Sequence, residues 1–297
     1  MRSNQSTSWP DGLTELFERL PSIPANEELE LRVAVHDLQS YASHEPSDEH
    51  RHIDHAILGA CSDMLINSTR HHDLPLTSKE LESYRSKPYV RSINALVRTL
   101  LPQLDEPQAG LCLNGLQLQK CSFDHISLGS SSLCMADISY CKLSRADLSH
   151  ADLRFANLMS ATLAHSDLSG SLMESCDMSW CDFTHADLHR TQLMDSDLGG
   201  SILDHADISY AILSGANLAN ATLNHANLSY ANLFGARLHL AKLYGCDLTG
   251  TGITPERLEN AGMETHSDRG TIWGNETDCA GRNPFDPAYY AKQQSLL

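Results

Sequence analysis

One apolar position recurs with a period of five along almost half of this chain. From Leu113 to Ile253, every fifth residue is Leu, Ile, Met or Phe, through 29 consecutive positions without a break. Five residues turn an α-helix by about 500°, so such positions would scatter around a helix. On one continuous strand they would alternate between faces, because they lie an odd number of residues apart. The pattern predicts instead short extended segments that turn after every five residues, which is a solenoid.

The repeating unit has five positions: a small residue, then Asp or Asn, then Leu, then two variable residues. We number them one to five in that order. Position one is Ala, Ser, Thr or Cys in nearly every unit from Cys121 to Thr251, with Ile126 the exception. Each unit is therefore expected to point one small and one large side chain inward. Typical units begin at Ala146, Ala151, Ala156, Ala216, Ala226 and Ala231.

This unbroken array resembles the pentapeptide-repeat family, whose consensus is A(D/N)LXX. The resemblance covers about half of the chain. It implies an all-β solenoid, a right-handed quadrilateral β-helix in which four units make one coil. The stretch Leu31–Leu38 also resembles the helical segment that precedes the repeats in many bacterial members.

The outward residues test the expectation of four units per coil, since stacked residues should then recur every 20 positions. Histidine fills position five six times, and only His150 departs from that spacing. A file of aspartates at position two keeps the same spacing and is interrupted by Asn227. The histidines are His125, His165, His185, His205 and His225, and the aspartates are Asp147, Asp167, Asp187, Asp207 and Asp247.

Three regions follow from these patterns. Residues 1–105 are predicted to form an α-helical N-terminal domain and cap, 106–253 a β-helix of about seven coils, and 254–297 a C-terminal cap and mobile tail. Apolar spacing predicts five helices before the array. Their expected starts include Asp11 as an N-cap, a capping box of Thr77 with Glu80, and Pro88 at a first helical position.

Both ends of the array need covering, because an uncovered end is an exposed strand edge. Leu111 and Leu116 stand where later coils have Ala or Cys, so we expect the last helix to pack there. Thr254 and Pro255 predict the start of a short capping helix. Leu258, Met263 and Ile272-Trp273 are expected to close the last coil.

Composition narrows the partners and the compartment. The net charge of −17 disfavours direct binding to nucleic acid or to an anionic membrane face. The start lacks an apolar leader and no run of 18 apolar residues occurs, so neither a signal peptide nor a membrane span is expected. Nine cysteines without a Cys-x-x-Cys spacing favour a reducing compartment and argue against structural zinc. We therefore expect a cytoplasmic bacterial protein.

No motif in the chain predicts catalysis, a cofactor or a metal. Nucleophile-elbow, P-loop, dinucleotide-binding and HExxH patterns are all missing from the sequence. The densest group of potential ligands is His50, His52 and His55, and on a helix only the last two share a face. We interpret this group as solvated helix surface and expect a non-enzymatic protein.

Two sets of outward residues are candidate partner-binding surfaces. The first joins the aspartate file to His165, His185, His205 and His225, each of which stands two residues before a member of that file or, for His225, before Asn227. Its structural interpretation is also open, because Asp or Asn can hydrogen-bond local backbone and a repeated turn favours a repeated residue. The second set is apolar, and its members could instead serve only to pack on one another along the coils. It comprises Trp180, Ile202, Tyr210, Ile212 and Tyr230.

These features favour a rigid scaffold for an unidentified protein partner, and leave a homodimer open. Because some family members, the quinolone-resistance proteins, bind type II topoisomerases and have been interpreted as DNA mimics, the resemblance implies an alternative. This chain would then modulate or protect DNA gyrase or topoisomerase IV. Its array carries 14 Asp and Glu against 7 Lys and Arg, yet no loop interrupts it and a helical domain precedes it. A secreted effector, suggested by the polar stretch Ser3–Ser8, is a second alternative.

Overall fold

The computed structural model describes residues 13–19, 28–42, 48–69, 75–103, 110–260, 265–267 and 270–273. The chain divides into two compact units. The helical unit contains residues 1–105 together with 111–116, and the solenoid unit contains 106–110 together with 117–297. None of the helices in the described ranges is long and apolar enough to cross a membrane.

The helical unit is organised around its last helix, α5, which contacts α2, α3 and α4. The apolar face predicted for α5 is confirmed, since Val90, Ile93, Val97 and Leu100 are all buried. The capping box at Thr77 is also confirmed: its side chain accepts from the amide of Glu80, whose carboxylate accepts from the Thr77 amide. The helices are α1 (Leu13–Arg19), α2 (Glu28–Tyr41), α3 (Asp48–Thr69), α4 (Ser78–Ser86) and α5 (Pro88–Leu100).

The first repeats, residues 111–116, group with these helices. The Ser62 hydroxyl of α3 accepts a hydrogen bond from the Cys112 amide at 2.8 Å. Arg85 of α4 donates to the Gly115 carbonyl at 2.8 Å. Side chains of α3 and α4 thus satisfy backbone groups of residues 111–116. The packing of α5 on the first coil stays a prediction. The proposed N-cap Asp11 lies outside the described residues.

In the solenoid unit, each position-two residue from Gln117 to Asn227 pairs in parallel with the residue 20 positions later. Asp147 bridges Asp167, Asp167 bridges Asp187, and Asp187 bridges Asp207. Backbone bonds alternate along this register, with Leu168 donating to the Asp187 carbonyl at 2.8 Å and Asp187 donating to Ser166 at 2.9 Å. A coil therefore contains four units, which confirms the four-sided prediction drawn from the histidine spacing.

The core is the file of large apolar residues that opened the sequence argument. All 29 fifth residues from Leu113 to Ile253 are at most 2% exposed. Position one is buried beside them, and the hydroxyls of five residues there donate to the carbonyl three residues earlier, as Ser166 does to Leu163 at 2.7 Å; the others are Thr191, Ser196, Ser201 and Thr251. This internal bond removes the cost of burying a hydroxyl among apolar side chains.

The corners of the coil are made by position five. Twenty-one non-glycine residues there have φ between 55° and 65°, from Lys120 to Leu240. A side chain in this left-handed conformation costs about 1 kcal/mol. The bends are nevertheless repeated in every unit, because each one lets the next segment join the backbone ladder of the neighbouring coil.

Beyond the array the chain returns to the last coil. Helix α6 (Pro255–Asn260) is followed by β2 (Thr265–His266), which pairs in parallel with β1 (Ala241–Lys242). Ile272 bridges Asp247, but its side chain is 53% exposed. The expected apolar closure therefore does not come from Ile272, whose backbone pairs while Thr271 is buried. Met263 and the proposed mobile tail after 273 lie outside the described residues.

Candidate protein-recognition surface

The aspartate file is built by local hydrogen bonding. In each of these aspartates, Oδ1 accepts the amide of the residue two positions later, as Asp167 does from Ser169 at 2.9 Å. The same bond occurs on other sides of the coil, for example from Met159 to Asn157 at 3.0 Å. This turn chemistry explains the Asp and Asn of position two. The other members bond Ser149 to Asp147, His189 to Asp187, Ser209 to Asp207 and Thr249 to Asp247.

One member of the file has a perturbed acidity. Partial burial acts to raise the pKa of Asp147, but the hydroxyl and amide of Ser149 and the hydroxyl of Ser127 donate to its carboxylate. These donors outweigh burial and hold the pKa of Asp147 below its ordinary value. Its negative charge is therefore a fixed part of this surface at neutral pH.

The histidines of the same corner form a continuous stack. The ring centroids of His165 and His185 are 5.0 Å apart, those of His185 and His205 4.7 Å, and those of His205 and His225 5.0 Å. The interplanar angles are between 8° and 15°. All four rings are exposed, so the corner presents a ladder of imidazole edges. His125 belongs to the file but is separated from the stack by Arg145.

Two tyrosines form a second ladder. Tyr210 and Tyr230 stack with centroids 5.2 Å apart and an interplanar angle of 16°. Both remain more than 40% exposed. His189 meets the edge of Tyr210 at 5.6 Å and lies 2.9 Å from the Ser209 hydroxyl through Nδ1. Sequence reasoning missed His189, because it searched only position five for histidines and this residue occupies position four.

Among the aromatic residues that the structure describes in the solenoid unit, Trp180 is the most exposed, at 68%. Its indole lies against Gly200 in the next coil, where an added Cβ would stand 2.7 Å from the ring. Ile202, two residues after this glycine, is 42% exposed. Together Trp180 and Ile202 form an apolar surface that we call the tryptophan corner.

The apolar candidates do not form one surface. Trp180 and Tyr210 are 30 residues apart, or one and a half coils, so they occupy opposite corners of the square. Ile212 follows Tyr210 and is half-buried, less exposed than its position-two location suggested. The sequence set also omitted exposed rings that outward positions four and five would have revealed. These are Tyr140, Phe155 and Tyr244, at 50%, 38% and 38% exposure.

The interior offers little reactive chemistry. Burial raises the pKa of Cys181 to about 12, and its Sγ donates to the Leu158 carbonyl. Such a thiol behaves as a compact apolar side chain. Within the described ranges, no three His, Cys, Asp or Glu residues come together as a metal-binding group. The side chains of the proposed His50, His52 and His55 cluster lie outside the described residues.

Comparison with solved structures returns pentapeptide-repeat proteins. HetL from the cyanobacterium Nostoc, a protein involved in heterocyst differentiation regulation, is 24% identical over 48% of this chain and 74% of its own, with a TM-score of 0.34. Full-length QnrB1, a plasmid-mediated fluoroquinolone resistance protein, is 18% identical over 55% and 94%, with a TM-score of 0.30. A protein of the Arabidopsis thaliana thylakoid lumen is 21% identical over 50% and 89%, with a TM-score of 0.23.

No curated protein sequence matches the chain at a significant level. The family model of pentapeptide repeats matches in 8 copies, over residues 136–174, 163–200, 201–239 and 211–250. This match implies a right-handed β-helical solenoid, in agreement with the 20-residue pairing of the coils. With its unbroken A(D/N)LXX array and its four-unit coils, this chain carries the pentapeptide repeats of that family over residues 136–250.

Proposed function

We propose that this chain is a non-enzymatic scaffold that recognises a protein partner through the outward side chains of its solenoid. The observation that supports this most is the order of those side chains. Successive rings of the histidine and tyrosine ladders lie 4.7–5.2 Å apart, each held by the ring of the neighbouring coil. Side chains that are ordered before binding lose little conformational entropy in a complex, so their contacts yield more affinity.

The types of exposed residue also support protein recognition. Tryptophan and tyrosine are enriched among the residues that dominate binding energy at protein interfaces. Here Trp180 is 68% exposed and Tyr230 45% exposed, on opposite corners of the coil. Because the two residues lie on opposite corners, one partner could bind at either corner, or two partners could bind at the same time.

Affinity capture from a lysate of the native organism tests this proposal. The intact chain is compared with Trp180→Ala and Tyr230→Ala, and with Phe155→Ala as a matched removal of a less exposed ring. We expect a specific partner whose capture falls with at least one corner variant and persists with Phe155→Ala. The proposal would be contradicted if none of the four proteins retained a partner above background.

A second candidate is modulation of a type II topoisomerase, favoured by the file of carboxylates that places one Asp in each coil from Asp147 to Asp207. A gyrase supercoiling assay, with and without fluoroquinolone, tests it directly. The informative variant is Asp167→Asn with Asp187→Asn and Asp207→Asn, since Asn227 shows that asparagine keeps the local turn bond at 3.0 Å. Loss of an effect on gyrase with these neutral variants supports the candidate, and no effect of the unmodified chain eliminates it.

The cytoplasmic location belongs to this proposal, and the secreted-effector alternative competes with it. A translocation reporter fused after the first 30 residues separates the two. Retention of the reporter in the producing cell supports the cytoplasmic scaffold. Export into a host cell would replace it with the effector.

A further inference from the structure

The files of position-five residues show how this solenoid arranges rings. In the histidine and tyrosine ladders one ring stands on each coil, and neighbouring centroids lie 4.7–5.2 Å apart. A different order occurs in the position-five file that contains Trp180, where successive coils carry Tyr140, Ser160, Trp180 and Gly200. Ring, serine, ring and glycine alternate along this file. One rung is therefore missing between Tyr140 and Trp180.

The missing rung has the size of a planar group. Two coil spacings separate the Tyr140 and Trp180 positions, which is about 10 Å. In the histidine and tyrosine ladders neighbouring centroids lie 4.7–5.2 Å apart, so one flat group midway between the two positions would keep the ladder spacing to both rings. The Trp180 ring lies against Gly200 of the next coil, on the side away from Ser160. Both rings are at least half exposed, so the opening is accessible from solvent.

The charges beside this opening favour a cation. Asp177 and Asp182 flank Trp180 in the chain, and each uses Oδ1 for a local bond, to Ser179 and Thr184. Neither Oδ2 has a hydrogen-bond partner among the residues that the structure describes. The opposing charges on this side are Lys142, two residues after Tyr140, and Lys120, one coil before Tyr140, while Asp137 adds a third carboxylate. Three carboxylates against two ammonium groups leave a net negative rim.

We infer that the missing rung between Tyr140 and Trp180 is a slot for an arginine side chain of the protein partner. This inference rests on the proposed function and names the partner's chemistry. The guanidinium is planar, so it stacks between two rings, and its edge donates to Asp177 or Asp182. Lysine presents a compact, strongly hydrated ammonium that cannot fill the slot. An aromatic ring fills the slot but leaves both carboxylates unpaired.

The test uses the fluorescence of Trp180 in the full chain. Trp9→Phe and Trp273→Phe leave it as the only tryptophan of the three. Three peptides of equal length, with Arg, Lys or Tyr at the centre of neutral flanks, are titrated separately. We expect the arginine peptide to bind about five-fold more tightly than the other two, the size of one favourable cation–π contact. Equal binding of the lysine or the tyrosine peptide would overturn the inference.

Filling the slot gives the second arm of the test. Ser160→Tyr supplies the missing rung at a backbone φ of 58°, and Ser130→Tyr adds the same ring at φ 57° on another corner. We expect the arginine preference to disappear in the first variant and persist in the second, with unchanged circular dichroism in both. A preference that survives Ser160→Tyr contradicts the slot.

A third variant covers the case in which Ser160→Tyr does not fold. Trp180→Ala, followed by calorimetry, should lose the arginine preference, and a retained preference contradicts the inference. Failure here is distinguishable from failure of the proposed function. A partner captured through the tryptophan corner, without any arginine preference, would keep the scaffold and remove only the slot.

Discussion

The indole of Trp180 lies on Gly200 of the next coil, where a Cβ would stand 2.7 Å from two ring carbons. The same relation recurs between His225 and Gly245, and between Tyr230 and Gly250. At these three positions, glycine leaves room for the ring of the preceding coil. The ladders end at such glycines, which limits how far each row of rings extends.

Gly200→Ala should be more destabilising than the same change at Gly235. Both glycines have a φ of 68°, so both variants carry the left-handed penalty of about 1 kcal/mol. Only Gly200 faces a ring, and displacing Trp180 should add about 1–2 kcal/mol. Urea unfolding measures the difference, and removal of the ring by Trp180→Ser should restore most of it. Equal losses for the two glycine variants would show that Trp180 does not rest on Gly200.

The histidine ladder should contribute to stability through its inner members. His185 stacks on two neighbours, so His185→Asn should lower the free energy of unfolding by about 1 kcal/mol. Asparagine keeps the position's tolerance of a left-handed backbone. His125→Asn is the matched control, because His125 stands in the same file beside Arg145 and outside the stack. Similar unfolding midpoints for both variants would count against a stabilising stack.

The apolar interior should respond to truncation far more than the outward residues. Leu188 is fully buried at position three, so Leu188→Ala should cost about 3 kcal/mol, from lost burial and the cavity left behind. Ile202→Ala removes a side chain that is 42% exposed, and should cost less than about 1 kcal/mol. Thermal unfolding of the two variants measures this contrast. If the two variants lowered the unfolding temperature by similar amounts, the fifth-residue apolar positions would not form the core.

Buried thiols should make the fold sensitive to alkaline pH. Burial raises the pKa of Cys61 and of Cys181 to about 12, above the ordinary thiol value of 9.0. Because the folded-state pKa is the higher one, this stability is complete below pH 9 and is lost as pH rises toward 12. Each pH unit in that window should cost about 1.4 kcal/mol per buried thiol. Urea unfolding between pH 8 and 11 measures the slope, and Cys181→Ala should reduce it.

The core and the coil length were predictable because a periodic sequence repeats the same physical problem in every unit. A fifth-residue apolar file can be buried only by a chain that turns every five residues, and the spacing of His165, His185 and His205 then reports the coil. The capping box of Thr77 was predictable for a related reason. Its two hydrogen bonds involve residues three positions apart, so the local sequence contains the whole motif.

Other features depended on contacts that a single unit does not encode. The return of β2 onto β1 joins residues 24 positions apart outside the repeat, where no periodic signal guides the register. The contact of Trp180 with Gly200 needs the direction in which a corner side chain leans. The separation of Trp180 from Tyr210 followed from the coil length alone.

Disulfide formation between engineered cysteines tests the 20-residue coil most directly. Asp167→Cys with Asp187→Cys places two thiols on paired residues of adjacent coils, whose Cα atoms should be about 4.8 Å apart, within the range that a disulfide spans. Asp167→Cys with Asp177→Cys places them on opposite sides of the coil. After mild oxidation, mass spectrometry should find an intramolecular disulfide in the first pair only. A cross-link in the second pair, or none in the first, would contradict a four-sided coil and the recognition surface built on it.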